Sequence, residues 1–412
     1  MDLRSNGTAD AAALRAPVAA ASRASTARAL AFAAPPPLSL YVHLPWCIAK
    51  CPYCDFNSYE AGKAGVDEAS YVDALLHDLD AEAPLAQGRA LSSVFIGGGT
   101  PSLFSGASIK RLLAGVRERL DVAESAEITL EANPGAVEAA RFAEYRDAGV
   151  NRLSIGVQSF RSAPLRRLGR VHGADEAVRA IELARAAGFA SFNVDLMYAL
   201  PDDDAEGALA DLRAALAHEP PHLSWYQLTL EPNTAFHRKP PPLPAEEVVL
   251  EIERRGRELL EARGYRRYEV SAYERAGRCA HNSNYWRFGD YLGIGAGAHG
   301  KVTLPDLAAI ERRAKARNPR TYASAAGNAR AVTVERIADP AQVAVEFMMN
   351  ALRLPDGVPL KLFEERAGQP VGAIERPLEE ARARGWIADE PGVLRPTASG
   401  LEVLNRLLAL FC

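Results

Sequence analysis

Cysteine is scarce in this 412-residue chain. There are five, an odd number, with no secretory segment ahead of them, and that excludes a disulfide framework. No apolar run reaches the roughly 18 residues that a bilayer crossing requires, so no transmembrane segment is expected. Charge of one sign is missing too: a formal net charge of -4 leaves neither a basic field for nucleic acid nor an acidic tail. Residues 1–37 are Ala-rich, carry Arg4, Arg15, Arg23 and Arg28, and close on Pro35-Pro36-Pro37. Their composition is that of a transit peptide, but they are read as a disordered extension with too little buriable surface to fold.

Three of the five cysteines share one short string, Cys47-Ile48-Ala49-Lys50-Cys51-Pro52-Tyr53-Cys54, directly after the apolar run 38–42. The spacing supplies three thiolates and no fourth. Iron–sulfur clusters are held by cysteine thiolates, and a cubane with three protein ligands keeps one iron open to bind a substrate. A structural zinc site would need a fourth, tetrahedral ligand, and His43 stands four residues before Cys47. Reduced thiols and an oxygen-labile cluster together point to the cytoplasm.

From residue 38 onward, strand-like runs at 38–42, 93–96, 127–131, 152–157, 192–198 and 223–230 alternate with helical periodicity at 109–120, 137–148, 174–187 and 206–217. Such alternation predicts parallel strands with helical crossovers, in a partial barrel or a doubly wound sheet. Further on come a helix at 245–263, a strand at 268–273 and a Gly-rich run at 293–300. Residues 301–337 are read as a connecting segment. Helices at 341–351, 360–367 and 373–384, a turn at Pro391-Gly392, a strand at 393–395 and a helix at 397–410 predict a mainly helical, winged-helix-like domain over 338–412. It lacks a basic recognition helix, so a lid or packing role is expected for it.

Candidate cofactor residues fall at strand ends, where barrel active sites gather. Gly97-Gly98-Gly99-Thr100-Pro101 follows the second strand, and its glycines permit close approach of a ligand to backbone. Glu131 ends the third strand and Gln158 the fourth, while Asp195 lies in the fifth.

The cysteine string resembles the signature of the radical S-adenosylmethionine (SAM) superfamily. That resemblance implies a [4Fe-4S] cluster on Cys47, Cys51 and Cys54, with SAM chelating the open iron, and it selects the partial (β/α)6 barrel as the α/β fold of 38–300. Residues 41–299 resemble the oxygen-independent coproporphyrinogen III oxidase group, through Tyr41-Val42-His43-Leu44-Pro45-Trp46-Cys47, the 97–101 run, Gly156-Val157-Gln158-Ser159-Phe160 and Asp195-Leu196-Met197-Tyr198-Ala199-Leu200-Pro201. By position in those motifs, Tyr41 and Glu131 correspond to contacts with the SAM on the cluster, and Gly98 lies in the run that resembles the motif contacting the methionine amino group. Tyr53, Gly99, Thr100, Gln158, Arg170 and Asp195 correspond to contacts with SAM or a second copy of it.

Two features depart from the oxidase. Phe56 stands where that enzyme has an extra cysteine, and His281-Asn282-Ser283-Asn284-Tyr285-Trp286 resembles the H-N-x-x-Y-W signature of HemW-type haem chaperones. The resemblance implies haem as cargo, an apo-haemoprotein as acceptor, and an electron donor that it does not name. Imidazole ligates haem iron, and Tyr285 and Trp286 offer flat faces to a macrocycle. Taken alone, His281 reads equally as a buried structural histidine. Cys279 is a possible thiolate ligand or a small hydrophobe, and His299 a SAM contact or a buried polar residue. No Cys-x-x-Cys-His attachment string occurs, so haem would be held by ligation and packing or by an unfamiliar bond. The alternative function is oxidative decarboxylation of coproporphyrinogen III.

Overall fold

The computed structural model describes residues 29–62 and 65–412; most of the N-terminal extension lies outside them. The six apolar runs form β1 (Leu38–Leu44), β2 (Leu91–Gly98), β3 (Val122–Ala132), β4 (Arg152–Gln158), β5 (Ser191–Tyr198) and β6 (His222–Gln227). They pair in chain order, all parallel. Their residues are buried on both faces of the sheet, as parallel strands under helical crossovers must be. Crossover helices begin at side-chain caps: Asp67 for Glu68–Glu82, Ser105 for Gly106–Arg119 and Asp204 for Ala205–Ala217. The helix expected at 137–148 is instead two, Ala136–Ala139 and Phe142–Ala148.

The sheet does not stop at six strands. Beyond β6 lie β7 (Arg266–Arg267) and β8 (Ala272–Glu274), both antiparallel. On the other side β1 pairs in parallel with β9 (Asp290–Ile294), followed by β10 (His299–Leu304), β11 (Ala309–Lys315) and β12 (Val332–Ile337). Twelve strands thus run in the order β12-β11-β10-β9-β1-β2-β3-β4-β5-β6-β8-β7. Residues 301–337, expected to be a connector, therefore carry most of β10 and all of β11 and β12. Charge hid them: Lys315 of β11 is buried between Asp78 (2.5 Å) and Glu82 (2.6 Å), and Arg313 pairs with Glu82 at 2.9 Å. These ion pairs place charged residues where strand periodicity leads one to expect apolar ones.

The C-terminal unit has its own core, with Phe347, Phe363, Leu378, Ile387, Leu394 and Leu407. Its helices Pro340–Ala351, Lys361–Ala367 and Glu375–Ala383 and the pair Val358–Pro359 with Val393–Leu394 match the winged-helix-like expectation. The last helix breaks at Val403 into Ala398–Glu402 and Leu404–Leu408. Leu30 and Phe32 are buried in this same core, and the Ala31 N–H donates to the Gly368 carbonyl at 2.9 Å. The end of the 1–37 segment is thus part of the fold, because two apolar side chains suffice to seat it there.

Candidate active site and barrel lumen

The cysteine loop leaves the C-terminal end of β1 and is tied back on itself. Tyr59 N–H donates to Pro45 O (2.7 Å), Ala61 N–H to Cys47 O (2.9 Å) and Cys54 N–H to Cys51 O (3.1 Å). The glycine run fastens beside it, with Gly99 N–H on Leu44 O (2.8 Å) and Thr100 N–H on Trp46 O (2.7 Å). A Cβ on Gly99 would lie 2.6 Å from Trp46 O, and one on Gly98 (φ +118°) 2.6 Å from the His43 ring. These glycines therefore serve close packing of the cluster loop first, not only approach of a ligand.

The three thiols suit the donor set of a cluster. Burial pushes Cys47 up and Cys54 up to about 11, and each feels the like charge of a neighbouring cysteine. Two such thiols become thiolates together only against a cation. The Arg170 guanidinium, 3.8 Å from Cys51 Sγ, adds positive charge. Among the described residues, no three His, Cys, Asp or Glu side chains converge on one metal ion. His43 is not the fourth zinc ligand. Its Nδ1 meets the Tyr41 hydroxyl at 2.9 Å and its Nε2 the Asn57 carbonyl at 2.9 Å, so both ring nitrogens are engaged.

Of the expected SAM residues, Tyr41, Glu131 and Asp195 line one cavity. Glu131 Oε2 accepts from Gly98 N–H at 3.0 Å, and enclosure lifts its carboxyl to about 7. Asp195 accepts from Ser154 Oγ (2.9 Å) and Asn193 Nδ2 (2.7 Å), and burial raises it as well. Gln158 sits at φ +66°, a conformation that costs energy outside glycine, and its Oε1 accepts from Tyr226 OH at 2.8 Å. Arg170 donates to Gly156 O (2.8 Å) and Asn133 Oδ1 (2.6 Å), and Asn133 donates in turn to Thr100 Oγ1 at 3.1 Å. Tyr53 packs against Phe236. Asn133 and Tyr226 went unread in the sequence, although Asn133 stands in the string Glu131-Ala132-Asn133-Pro134.

The His281 hexapeptide lies at the opposite end. It forms the helix Ala280–Trp286 across the N-terminal ends of the strands. The Glu127 carboxylate accepts from Ala280 N–H (3.0 Å) and His281 N–H (3.3 Å). Asn284 Nδ2 donates to Ser39 Oγ (3.0 Å) and Asp290 O (2.9 Å). Helical spacing turns His281, Asn282 and Tyr285 inward, onto a lumen cavity of about 260 Å³ that they share with Tyr41, Glu131 and Asp195. Trp286 points elsewhere, under Arg353 of the C-terminal unit, 4.5 Å from guanidinium to ring centroid. The hexapeptide is thus divided between two surfaces.

His281 is 3% exposed and stacked on Phe95 at 4.9 Å. Ser93 Oγ already donates its hydrogen to Ser39 Oγ (2.8 Å) and lies 3.3 Å from His281 Nδ1. Nδ1 therefore carries the ring hydrogen, and the Nε2 lone pair is left without a partner. Burial drives the imidazole down to about 3, so it is neutral. Cys279 is buried with its thiol pushed up to about 12 beside Glu127, an inert group rather than a thiolate. His299 is exposed at the start of β10, which removes its reading as a buried polar residue.

Residues 41–213 match the Radical SAM superfamily and residues 338–403 the HemN C-terminal domain. The chain is 52% identical over 377 residues to the haem chaperone HemW of Escherichia coli (strain K12), covering 91% of this chain and 98% of that one. It is 48% identical to haem chaperone HemW of Haemophilus influenzae, with 91% and 98% coverage. It is 35% identical to the mouse protein named radical S-adenosyl methionine domain-containing protein 1, mitochondrial, with 90% and 86% coverage. The solved structure of coproporphyrinogen III oxidase (HemN) from Escherichia coli superposes with a TM-score of 0.76 at 24% identity, over 92% of this chain and 90% of that one, and so shares the fold. Cluster loop, glycine run, hexapeptide and C-terminal unit occur together along one chain, and on this evidence the chain belongs to the HemW-type haem chaperone family of the radical SAM superfamily.

Proposed function

We propose that this protein binds haem as cargo and delivers it to an apo-haemoprotein, and that it carries a [4Fe-4S] cluster on Cys47, Cys51 and Cys54 with SAM at the open iron. The observation that carries the haem reading is the state of His281. It is a neutral imidazole with Nδ1–H donated to Ser93 and Nε2 unpartnered. Metal-ligating histidines have this arrangement, the second nitrogen fixed by a hydrogen bond and the first free. When bound, the cluster would supply an electron to SAM. Around that site Tyr41 and Glu131 would hold the SAM on the cluster, with Gly98 in the glycine run beside it, and Tyr53, Gly99, Thr100, Gln158, Arg170 and Asp195 are assigned to SAM or a second copy. Five free cysteines support a reducing, cytoplasmic setting.

The test is anaerobic. Protein with a reconstituted cluster is given reductant, SAM and coproporphyrinogen III, and separately titrated with haemin. Haemin binding that weakens in His281→Ala, with no decarboxylated product by mass, is the expected result. Decarboxylated product would establish the oxidase activity instead.

A further inference from the structure

His281 and haem cannot meet in the arrangement described. His281 lines a cavity of about 260 Å³, below the ~300–1,000 Å³ of sites for drug-sized ligands, a haem macrocycle is no smaller than such ligands, and Nε2 itself is buried. The cavity is also only partly apolar, with Arg152, Asn193, Asp195 and His222 in its lining. Trp286, the other flat face of the hexapeptide, is covered by Arg353.

We infer that the Ala280–Trp286 helix is a displaceable plug in the barrel floor, and that haem is bound when the helix swings out and carries His281 and Trp286 to the surface. The inference rests on the reading of His281 as the haem ligand. Three observations support it. First, the seat is incompletely satisfied: His281 Nε2, Ser283 Oγ and Trp286 Nε1 are buried on this one seven-residue helix without hydrogen-bond partners among the described residues, as is Arg353 Nε above it. Buried polar groups are rarely left so, and a cluster of them marks a functional site or a second arrangement. Second, the helix is flanked by backbone suited to rotation. Gly277 before it has φ +120° and open space around it, and Phe288 after it sits at φ +58°, a strained value for an aromatic residue. Third, its polar fastenings are few: the Glu127 carboxylate at its first turn, His281 Nδ1 on Ser93, Asn284 on Ser39 and Asp290, and the Arg353 guanidinium on Trp286. The Arg353 contact joins the plug to the C-terminal unit, which makes that unit the retaining arm of the plug.

Hydrogen exchange on the full-length protein, with and without haemin, is the direct measurement. The Ala280 and His281 amides should exchange faster in the haemin-saturated protein, because they lose the Glu127 carboxylate. Asn284→Ala, which releases two fastenings outside the H-N-x-x-Y-W positions, should take up haemin about fivefold faster while keeping its melting temperature within a few degrees of wild type. If those amides stay protected in saturated protein, while His281→Ala weakens haemin binding, the plug is refuted and the ligand reading stands. If His281→Ala binds haemin as wild type does, the ligand reading itself falls, and the plug with it.

Discussion

The glycine run offers the sharpest test of how the cluster loop is built. A methyl on Gly99 would sit 2.6 Å from Trp46 O, 2.8 Å from Trp46 C and 2.9 Å from Pro45 C. All three atoms are backbone, so no side-chain rotation relieves the clash. The loop entry must move, and with it the Gly99–Leu44 and Thr100–Trp46 hydrogen bonds. Two backbone bonds at ~1 kcal/mol each, with overpacking of ~1–3 kcal/mol, set the cost of Gly99→Ala at about 3–5 kcal/mol. The control is Gly188→Ala, where φ is +81° and nothing lies within 4 Å of the new methyl; it should cost only the ~1–2 kcal/mol of a left-handed alanine. Urea unfolding measures both, and iron per chain after anaerobic reconstitution separates them. Gly99→Ala should lose stability and much of its iron, Gly188→Ala stability alone. A Gly99→Ala protein with wild-type iron and stability would refute the claim that these glycines position the cysteine loop.

Glu131 gives a pH signature. Its carboxyl stands at about 7 when folded, chiefly through burial, against ~4.3 unfolded. The folded state thus binds more protons between those values, and the stability this group contributes is full below about pH 4 and lost as pH climbs through 7. Relative to Glu131→Gln, wild type should lose at most about 3 kcal/mol between about pH 4.5 and 8; parallel curves would contradict the assignment. Phe32→Ala should cost about 3 kcal/mol and speed exchange in the helix Pro340–Ala351, whereas unchanged protection there would mean that the N-terminal segment is not part of the core. Gly256→Ala would place a methyl 1.8 Å from the buried Trp225 ring and should cost ~1–3 kcal/mol by overpacking. A melting temperature equal to wild type would show that the ring has room to move.

What could be read in the sequence is what is local. The cysteine string and the glycine run each occupy a few consecutive residues after an apolar strand, so both the chemistry and its place at a strand end are written in one stretch. The floor of the barrel is different. Glu127 caps a helix that begins 153 residues later, and Ser39, Ser93 and Asn284 meet only through the register of β1 with β2. No spacing in the chain announces such contacts. The hexapeptide was visible as a motif, but its division between the lumen and the C-terminal unit follows from helical geometry and from what packs on each side. The missed strand β11 has the same cause: its charges look solvated in the sequence, and only the fold brings Asp78 and Glu82 to Lys315. The charges of β12 are exposed, at the edge of the sheet.

The two ends of the barrel are physically continuous. Asn57 of the cluster loop accepts from His43, and His43 is bonded through its other nitrogen to Tyr41 OH. Tyr41 stacks on Phe95 at 6.3 Å, and Phe95 on His281 at 4.9 Å. Contiguity is not coupling; coupling requires an element with two arrangements that both sites bias. With the plug seated, every ring in this path is packed and the path is a strut. Releasing the Ala280–Trp286 helix would remove the last ring and leave Phe95 without its stacking partner. Haem at the floor and SAM at the cluster would then each act on the same row of side chains from opposite ends. By linkage, any effect of haem on SAM affinity must be matched by an equal effect of SAM on haem affinity.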